Sequence, residues 1–237
     1  MTDGIYTTIG RQAGLLREID VIAQNIANAN TTGYRAEGLI FSEHVTRTGR
    51  DNPSISFASA TGKQTRFEQG GLEQTGGSFD LAIEGEGYFT VDVDGATHLT
   101  RAGAFVAAAD GSLQTPEGYP LLDEGGAPVF VPQNAQSVSV GTDGTLSADD
   151  QPIARVGVVL PDDAGSMTRR AGTMFATEQF QPVENPRVVQ GFLEASNVDP
   201  VIEIARMVEV QNAYKMGQDF MDKEHERMLA MLRLMDS

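Results

Sequence analysis

Residues 196–235 read SNVDPVIEIARMVEVQNAYKMGQDFMDKEHERMLAMLRLM, and this stretch predicts the longest element of the chain. Asp199 before Pro200 predicts the start of a helix, because an Asp side chain accepts hydrogen bonds from free backbone amides and proline is favoured at the first helical position. No proline follows Pro200, so we expect a helix of about 35 residues, roughly 50 Å long at 1.5 Å per residue. A helix of that length needs a partner for its apolar face.

One face of this helix carries a seam, a row of positions alternately three and four residues apart. Seven of its ten positions are apolar, and the three polar ones follow each other at intervals of seven residues. Polar residues in such a seam fix register or partner choice at some cost in stability. The seam positions are Ile204, Met207, Gln211, Tyr214, Gln218, Met221, His225, Met228, Leu232 and Met235.

A second seam with the same spacing lies near the N-terminus, and five of its eight positions are Ile or Leu. This helix is predicted to end in the turn-forming residues 30–33, where Gly33 suits a positive φ. Two amphipathic helices at opposite ends of a chain can pair as a coiled coil. A plain intramolecular helical hairpin is the simpler alternative. The second seam consists of Ile5, Ile9, Gln12, Leu16, Ile19, Ala23, Ile26 and Asn30.

The middle of the chain has a different pattern. Residues 34–75 lack strong periodicity and are predicted to form an extended connection, whereas residues 76–190 contain short β-like runs separated by turn residues. Asp94-Gly95 and Asp143-Gly144 are typical of tight hairpins, as are Asp110-Gly111 and Gly125-Gly126. The predicted runs are Leu81–Ile83, Tyr88–Val93, Thr97–Thr100, Phe105–Val106, Val129–Val131, Val138–Val140 and Val156–Leu160.

The predicted fold class is therefore mixed α and β, with N- and C-terminal helices pairing as a coiled-coil layer and an inserted all-β module. We expect an N-terminal helix within residues 1–33, the extended connection over 34–75, the β-rich module over 76–190 and the C-terminal helix within 191–237.

Charge divides along the same lines. The 237 residues include 17 Lys and Arg against 33 Asp and Glu, a formal charge of −16. A chain this acidic repels phosphate backbones, which argues against a non-specific nucleic-acid binder and against an anionic membrane surface. Residues 1–35 are neutral and residues 200–237 carry −2, so nearly all the acidity belongs to the middle. The terminal helices therefore meet little like-charge repulsion when they pack side by side.

Residues suited to catalysis or metal binding are scarce. The absence of Cys excludes disulfides, thiolate nucleophiles and Cys-containing zinc sites. His44, His98 and His225 fall in three separate predicted segments, and neither an HExxH nor a GxSxG motif accompanies them. A catalytic dyad is therefore a minor alternative.

Three glycine- and aspartate-rich stretches could suggest ligand sites. Residues 85–87 (GEG) lack the further glycine of a dinucleotide fingerprint and the Lys of a phosphate loop, so we interpret them as a turn. Residues 92–95 (DVDG) and 149–150 (DD) lack the remaining oxygen ligands of a calcium loop, so hairpins are expected there. No catalytic, cofactor-binding or metal-binding residue is predicted.

Blocks of sequence along the whole chain resemble the axial proteins of the bacterial flagellum, the rod and hook family. Asn25–Tyr34 (NIANANTTGY) resembles the N-terminal signature of that family. The blocks occur in the family's order, and the short length together with Ile5–Gln12 is most similar to a proximal rod protein. The other blocks are Phe67–Gly76, Asp80–Phe89, Leu99–Phe105, Asp110–Leu113, Gln190–Val198 and Met207–Tyr214.

The resemblance implies a structural, non-enzymatic subunit without cofactors. It implies export through the flagellar type III apparatus without a cleaved signal, and assembly with copies of itself and other rod proteins in the periplasmic part of the basal body. The terminal helices would form an inner coiled-coil layer and the β module an outer one, with no nucleic acid bound and no insertion into a membrane. The expected assembly interface comprises Ile5, Ile9, Leu16, Ile19, Ile26, Asn28, Asn30, Thr31, Thr32, Gly33, Ser196, Asn197, Val198, Pro200, Ile204, Met207, Gln211, Tyr214, Met221, Met228 and Leu232.

The predicted C-terminal helix contains one poor helix former, Gly217. Gly217 costs a helix up to about 1 kcal/mol relative to Ala, and we expect it to permit a close helix crossing.

Three alternatives stay open at this point. The chain could be another axial member, either a distal rod or a short hook protein. It could be a secreted binding module that carries a β domain on a two-helix stalk and never polymerises. It could also be a hydrolase, which would require carboxylates with raised pKa values converging in a cleft of the acidic β module.

Overall fold

The structure, a computed structural model, describes residues 2–46, 55–170 and 172–235. The chain divides into two compact units. The helical unit takes residues 1–28, 36–66 and 198–237, and the β unit takes residues 29–35 and 67–197. Each terminal helix therefore shares its unit with a segment from the predicted connection.

The helical unit contains α1 (Thr2–Ala27) and α2 (Pro200–Met235), of 26 and 36 residues. The predicted length of the C-terminal helix is confirmed. Its start is confirmed as well, because the Asp199 Oδ1 accepts hydrogen bonds from the backbone N–H groups of Val201 at 2.9 Å and Ile202 at 3.2 Å. None of the described helices is long and apolar enough to cross a bilayer.

Two strands complete the helical unit. β1 (Glu37–Thr46) pairs antiparallel with β2 (Ile55–Thr65), with a register shift between Ile40 and Phe41. These residues belong to the segment interpreted as an extended connection. Its backbone is indeed extended, but cross-strand hydrogen bonds satisfy its amides and carbonyls, which an unpaired chain would leave to solvent.

The β unit is built from short strands. β5 (Tyr88–Val93) and β6 (Ala96–Thr100) form the centre of a six-stranded sheet with strand order β13-β14-β6-β5-β12-β15. A three-stranded sheet runs β11-β10-β9, and three further pairs are β16-β4, β17-β3 and β7-β8. The remaining bounds are β3 Leu72–Gln74, β4 Leu81–Ile83, β7 Val106–Ala107, β8 Leu113–Gln114, β9 Val138–Val140, β10 Thr145–Ala148, β11 Gln151–Arg155, β12 Val158–Pro161, a 3₁₀ turn Ala164–Ser166, β13 Thr168–Arg169, β14 Met174–Ala176, β15 Phe180–Pro182, β16 Val188–Gln190 and β17 Phe192–Glu194.

The predicted turns are confirmed by their backbone angles. Asp94 and Gly95 have φ values of 55° and 83° between β5 and β6, and Gly111, Gly126 and Gly144 are also positive. Asp149 and Asp150, at 49° and 63°, link β10 to β11. Consecutive positive φ values match the right-handed twist of two-residue hairpins, so the hairpin interpretation of both aspartate stretches is correct.

One predicted run behaves differently. Val129–Val131 does not join a regular strand but pairs through an isolated bridge between Ser112 and Phe130 and through single backbone hydrogen bonds. Pro128 and Pro132 flank it, and neither can donate to a ladder. Val129 and Val131 are nevertheless buried in the main core with Leu81, Phe89 and Leu113.

Candidate assembly surface

The helices α1 and α2 pack against each other in antiparallel orientation. Arg206 donates to Glu18 Oε1 from Nε at 3.1 Å and from Nη2 at 2.8 Å. Gln12 Nε2 donates to the carbonyl of Tyr214 at 2.8 Å. The residue nearer the N-terminus of α1 pairs with the residue nearer the C-terminus of α2. These contacts therefore define the direction and register of the helix pair.

Gly217 of α2 lies against the end of the Gln12 side chain of α1. A Cβ atom added there would lie 2.0 Å from Gln12 Nε2. The Gln12 side chain is buried, and it would have to give up its bond to Tyr214 to make room. Gly217 therefore leaves room for the Gln12 side chain between the two helices, and the expected close crossing of the helices stays a prediction.

Asn25 joins α1 to both of its neighbours in the helical unit. Its Nδ2 donates to the carbonyl of Glu37 at 2.8 Å, and its Oδ1 accepts from the Glu37 N–H at 2.9 Å. The side-chain amide thus pairs with the first residue of β1 as a backbone amide would. Nδ2 also lies 3.3 Å from Glu203 Oε2 on α2. Both Asn25 and Glu203 are buried, so their polar atoms depend on each other.

The buried face of α2 shares only alternate positions with the predicted seam. On α2 the buried or half-buried positions include Glu203, Val210 and Gly217, each one residue before a predicted seam position. Met207, Tyr214 and Met221 are half-buried, whereas Ile204 (53%) and Gln211 are exposed. The contact between Gln12 and Gly217 and the hydrogen bond between Asn25 and Glu203 lie on this face. Neither contact can be predicted from hydrophobic periodicity.

On α1 the predicted seam divides in the same way. Ile19 and Ile26 are half-buried, but Ile9 and Leu16 are 51% and 46% exposed. The side chains of Ile5 and Leu232 lie outside the described residues. Ile9 and Leu16 are seven residues apart on α1, and they line neither the groove beside Ala213–Phe220 nor the cleft beside Leu39 and Lys63.

The β unit contains a buried ion cluster that the sequence did not indicate. Glu194 pairs with Arg35, and Arg101 Nη1 donates to Glu194 Oε2 at 3.0 Å. All three side chains are buried. The Gly70 N–H also donates to Glu194 Oε1 at 3.2 Å, and Arg35 Nη1 donates to the carbonyl of Glu68 at 2.8 Å.

Two cations share one carboxylate in this cluster, and burial affects their titration. Burial lowers the pKa of Arg101, and the attraction of Glu194 opposes that effect. Burial likewise raises the pKa of the Tyr88 hydroxyl, whose ring lies 5.2 Å from the Arg101 guanidinium. Among the described residues, Arg35 Nε and Arg101 Nε find no hydrogen-bond acceptor. The charge of Glu194 is therefore essential to keep two guanidinium groups buried.

The turn residues 29–35 pack beside this cluster. The Gly33 N–H donates to the Glu194 carbonyl at 2.8 Å, and the Asn197 N–H donates to the Tyr34 carbonyl at 3.3 Å. Gly33 has a φ of 68°, and a Cβ there would lie 2.3 Å from the backbone N of Ala102. The predicted turn at Gly33 is confirmed, and the close approach allows no side chain.

The other residues predicted to shape the two turns differ in their exposure. Thr31 and Thr32 line a pocket of about 280 Å³ in the β unit, together with Thr100 and Thr173. Asn30 is exposed, Asn28 and Ser196 are half-buried, Val198 is buried, Asn197 Nδ2 donates to the Glu68 carbonyl, and Pro200 begins α2.

The residues missed by sequence reasoning carry polar chemistry inside apolar surroundings. Asn25 is the first residue of the block Asn25–Tyr34, and Arg101 and Glu194 lie within blocks quoted above. The signal that the sequence offered for Arg101 and Glu194 was a charged residue inside an otherwise apolar or glycine-rich block. The sequence could not show with which distant residue each of these side chains pairs.

The residues considered for catalysis or ligand binding belong to separate elements. His44, His98 and His225 lie on β1, β6 and α2. Gly85 and Gly87 have φ values of 97° and 128° in a turn before β5. Within residues 2–46, 55–170 and 172–235, no three His, Asp or Glu side chains group so as to hold a metal ion.

Three family models match successive parts of the chain. Residues 5–35 match "Flagella basal body rod protein", residues 82–148 match "Flagellar hook protein FlgE/F/G D1 domain", and residues 189–234 match "Flagellar basal body rod FlgEFG protein C-terminal". These ranges contain most of α1, the central strands β5 and β6 of the six-stranded sheet, and nearly all of α2, respectively.

Similar proteins are found in several bacteria. The flagellar basal-body rod protein FlgF of Caulobacter vibrioides is 38% identical over 95% of both chains. FlgF of Mesorhizobium japonicum is 36% identical over 91% of this chain and 90% of its own length. The rod protein FlgG of Bacillus subtilis is 30% identical over 99% of both chains.

Proposed function

This chain belongs to the flagellar basal-body rod protein family and is a structural subunit of the rod, and we propose that it polymerises in the proximal rod through the exposed faces of α1 and α2. Polymerisation and torque transmission are general roles of such proteins, and the family is a structural rather than an enzymatic one. The exposed faces of α1 and α2 would then make the contacts between subunits.

The observation that supports it is the amount of apolar surface left exposed on the two helices. A helix that packs only within its own chain normally turns such residues inward. Large contiguous apolar patches on a protein surface are typical of interaction sites. The exposed residues are Ile9, Leu16, Val201, Ile202, Ile204, Val208, Met216, Phe220, Met228, Leu229 and Met231.

Charge supports the same surfaces. Residues 1–35 are neutral and residues 200–237 carry −2, whereas the rest of the chain carries most of the −16. Many helical segments can therefore crowd together without strong mutual repulsion. Met side chains, of which α2 has several, adapt to slightly different neighbours, as an array with inequivalent contacts requires.

The proposal includes partners and location. The family assembles with other rod and hook components of the basal body. We further propose assembly in the periplasm after export through the flagellar type III apparatus without a cleaved signal. A chain without Cys suits this route, since it cannot form disulfides before assembly.

The test places one charge on the exposed face. Ile204→Asp is expected to abolish motility in a strain whose own copy of the gene is deleted, because a buried unpaired carboxylate disrupts a contact between subunits. The purified variant should keep the unfolding midpoint of the parent chain, since Ile204 is exposed. Asn212→Asp, at an exposed polar position of α2, adds the same charge and should leave motility normal. Full motility of the Ile204 variant would contradict the proposal.

A further inference from the structure

The guanidinium group of Arg35 lies in the interior of the β unit with part of its hydrogen-bonding capacity unused. Its side chain is fully buried, and its Nη1 atom pairs with Glu194 and donates to the carbonyl of Glu68 at 2.8 Å. Nε and Nη2 are buried as well, and neither finds an acceptor among the residues that the structure describes. A buried donor without an acceptor bears the full cost of its lost hydration, and that cost is greater for a charged group.

The two unpaired atoms of Arg35 belong to one edge of the guanidinium plane. The N–H bonds of Nε and Nη2 point in nearly the same direction, as the two prongs of a rigid fork. Such a fork binds an anion through two parallel hydrogen bonds. Because this edge offers two donors and no acceptor, an anion that accepts both hydrogen bonds is the ligand that fits it.

The charges around this edge do not balance. Arg35 and Arg101 are both buried, and both pair with the carboxylate of Glu194. Two positive charges and one negative charge leave a net charge of +1 inside the β unit. In the described part of the chain, the buried Nε atom of Arg101 also has no acceptor. A buried charge is very costly unless an opposite charge compensates it.

Tyr88 does not supply the missing negative charge. Its ring centre lies 5.2 Å from the guanidinium carbon of Arg101, but its hydroxyl would be negative only as a tyrosinate. Burial raises the pKa of Tyr88 and outweighs the charges of Arg35 and Arg101, which act to lower it. The hydroxyl is therefore neutral near pH 7, and Glu194 is left as the compensating anion for two guanidinium groups.

We propose that the Nε–Nη2 edge of Arg35 binds one chloride ion in the interior of the β unit. Chloride accepts both N–H bonds through a single atom, and it brings the charge of the cluster of Arg35, Arg101 and Glu194 to zero. The complete burial of Arg35 favours this small ion over sulfate, phosphate or the carboxylate of a peptide. The inference goes beyond the proposed function, because it concerns residues of the β unit alone.

Thermal unfolding of the full-length chain in sodium chloride and in sodium gluconate tests the site. A ligand that binds only the folded state raises the unfolding midpoint as its concentration passes the dissociation constant. Relative to gluconate at equal ionic strength, we expect a saturating rise of about 2–4 °C at ~100 mM chloride. Screening of surface charges is the same in the two salts. Equal midpoints in both salts would overturn the proposal, because a water molecule at Arg35 would show no dependence on chloride.

The variant Arg35→Lys tests whether the fork is the binding site. Lysine keeps the positive charge but lacks the paired Nε and Nη2 donors, so the affinity for chloride should fall by about tenfold or more. Arg187→Lys is the matched control, because Arg187 pairs with Glu84 at the surface, where the side chains are 70% and 48% exposed. The control should keep the chloride dependence of the parent chain. Loss of this dependence in both variants, or in neither, would contradict the assigned location.

Bromide gives a readout that does not require a variant to fold. It replaces chloride in halide sites and scatters X-rays anomalously. Crystals of the full-length chain grown in bromide should therefore show an anomalous peak within hydrogen-bonding distance of Arg35 Nε and Nη2. Bromide peaks that all lie elsewhere would overturn the proposal. A peak at Arg35 without any effect of chloride on the unfolding midpoint would mean an adventitious ion only, and it would overturn the proposal as well.

Discussion

Arg101 donates a hydrogen bond of 3.0 Å to Glu194, and the two side chains are only 5% and 1% exposed. The two residues are 93 positions apart in the chain. Glu194 also pairs with the fully buried Arg35, so one carboxylate compensates two guanidinium groups. Removing one member of a buried ionic group costs far more than its net contribution, because the remaining charges stay without solvent.

Glu194→Gln is therefore expected to lower the free energy of unfolding by about 3–5 kcal/mol. Urea unfolding followed by circular dichroism measures it. Glu84→Gln is the matched control, since Glu84 pairs with Arg187 at the surface, where such pairs contribute at most about 1 kcal/mol. A loss below 1 kcal/mol in the Glu194 variant would mean that water reaches the cluster.

Gly217→Ala tests how tightly the Gln12 side chain fits against α2. Helix propensity alone favours Ala by about 1 kcal/mol, but the new Cβ would displace the Gln12 side chain and break its bond to Tyr214. We expect the variant to be less stable than the parent by roughly 1 kcal/mol in thermal or urea unfolding.

Two controls isolate the cause. Gly10→Ala on α1 meets nothing within 4 Å and should stabilise the chain by about 0.5–1 kcal/mol. Adding Gln12→Ala to Gly217→Ala should recover part of the loss, because the clashing group is gone. Stabilisation by Gly217→Ala alone would show that the Gln12 side chain moves aside at no cost.

Asn25→Asp is expected to destabilise the helical unit by about 3 kcal/mol at pH 7. The carboxylate lacks the amide donor that Asn25 Nδ2 offers to the Glu37 carbonyl, and it adds a charge beside Glu203. Below about pH 4 a protonated carboxyl group can donate again, so the loss should shrink. Urea unfolding at pH 7 and pH 4 measures both. A loss that is equal at the two pH values would argue against this electrostatic cause.

The free energy of unfolding is expected to depend on pH through the ionisation of Asp143. Hydrogen bonds from the Thr145 backbone N–H and hydroxyl, at 3.0 and 2.8 Å, hold the pKa of Asp143 below its usual range. The folded state then binds fewer protons than the unfolded state, so this contribution to stability is present above about pH 4 and is lost as pH falls below it. Asp143→Asn should therefore lose less stability than the parent chain between pH 5 and pH 2.

The matched variant for that measurement is Thr145→Val, which removes the hydroxyl donor and keeps the backbone N–H. Its loss of stability over the same pH interval should lie between those of the parent and of Asp143→Asn. An unchanged pH dependence in Asp143→Asn would show that this turn does not contribute to acid stability.

Much of the local structure followed from short-range chemistry. Asp199 and Pro200 predicted the start of α2, and Asp94-Gly95 predicted a hairpin. These features depend on backbone preferences of neighbouring residues, which a sequence displays directly. The exception is Val129–Val131, where flanking prolines replaced a strand with isolated contacts.

By itself, the sequence determined the two long helices, their apolar character, the β-rich middle and the position of the negative charge. Each of these depends on residues close together in the chain or on composition. Tertiary structure alone decided which helix faces meet: Gly217 against Gln12 and Glu203 against Asn25. It also decided that Arg35, Arg101 and Glu194 share one buried site. Periodicity reports how apolar a face is, but a partner is selected by shape and by hydrogen bonds between residues far apart in the chain, and those exist only after folding.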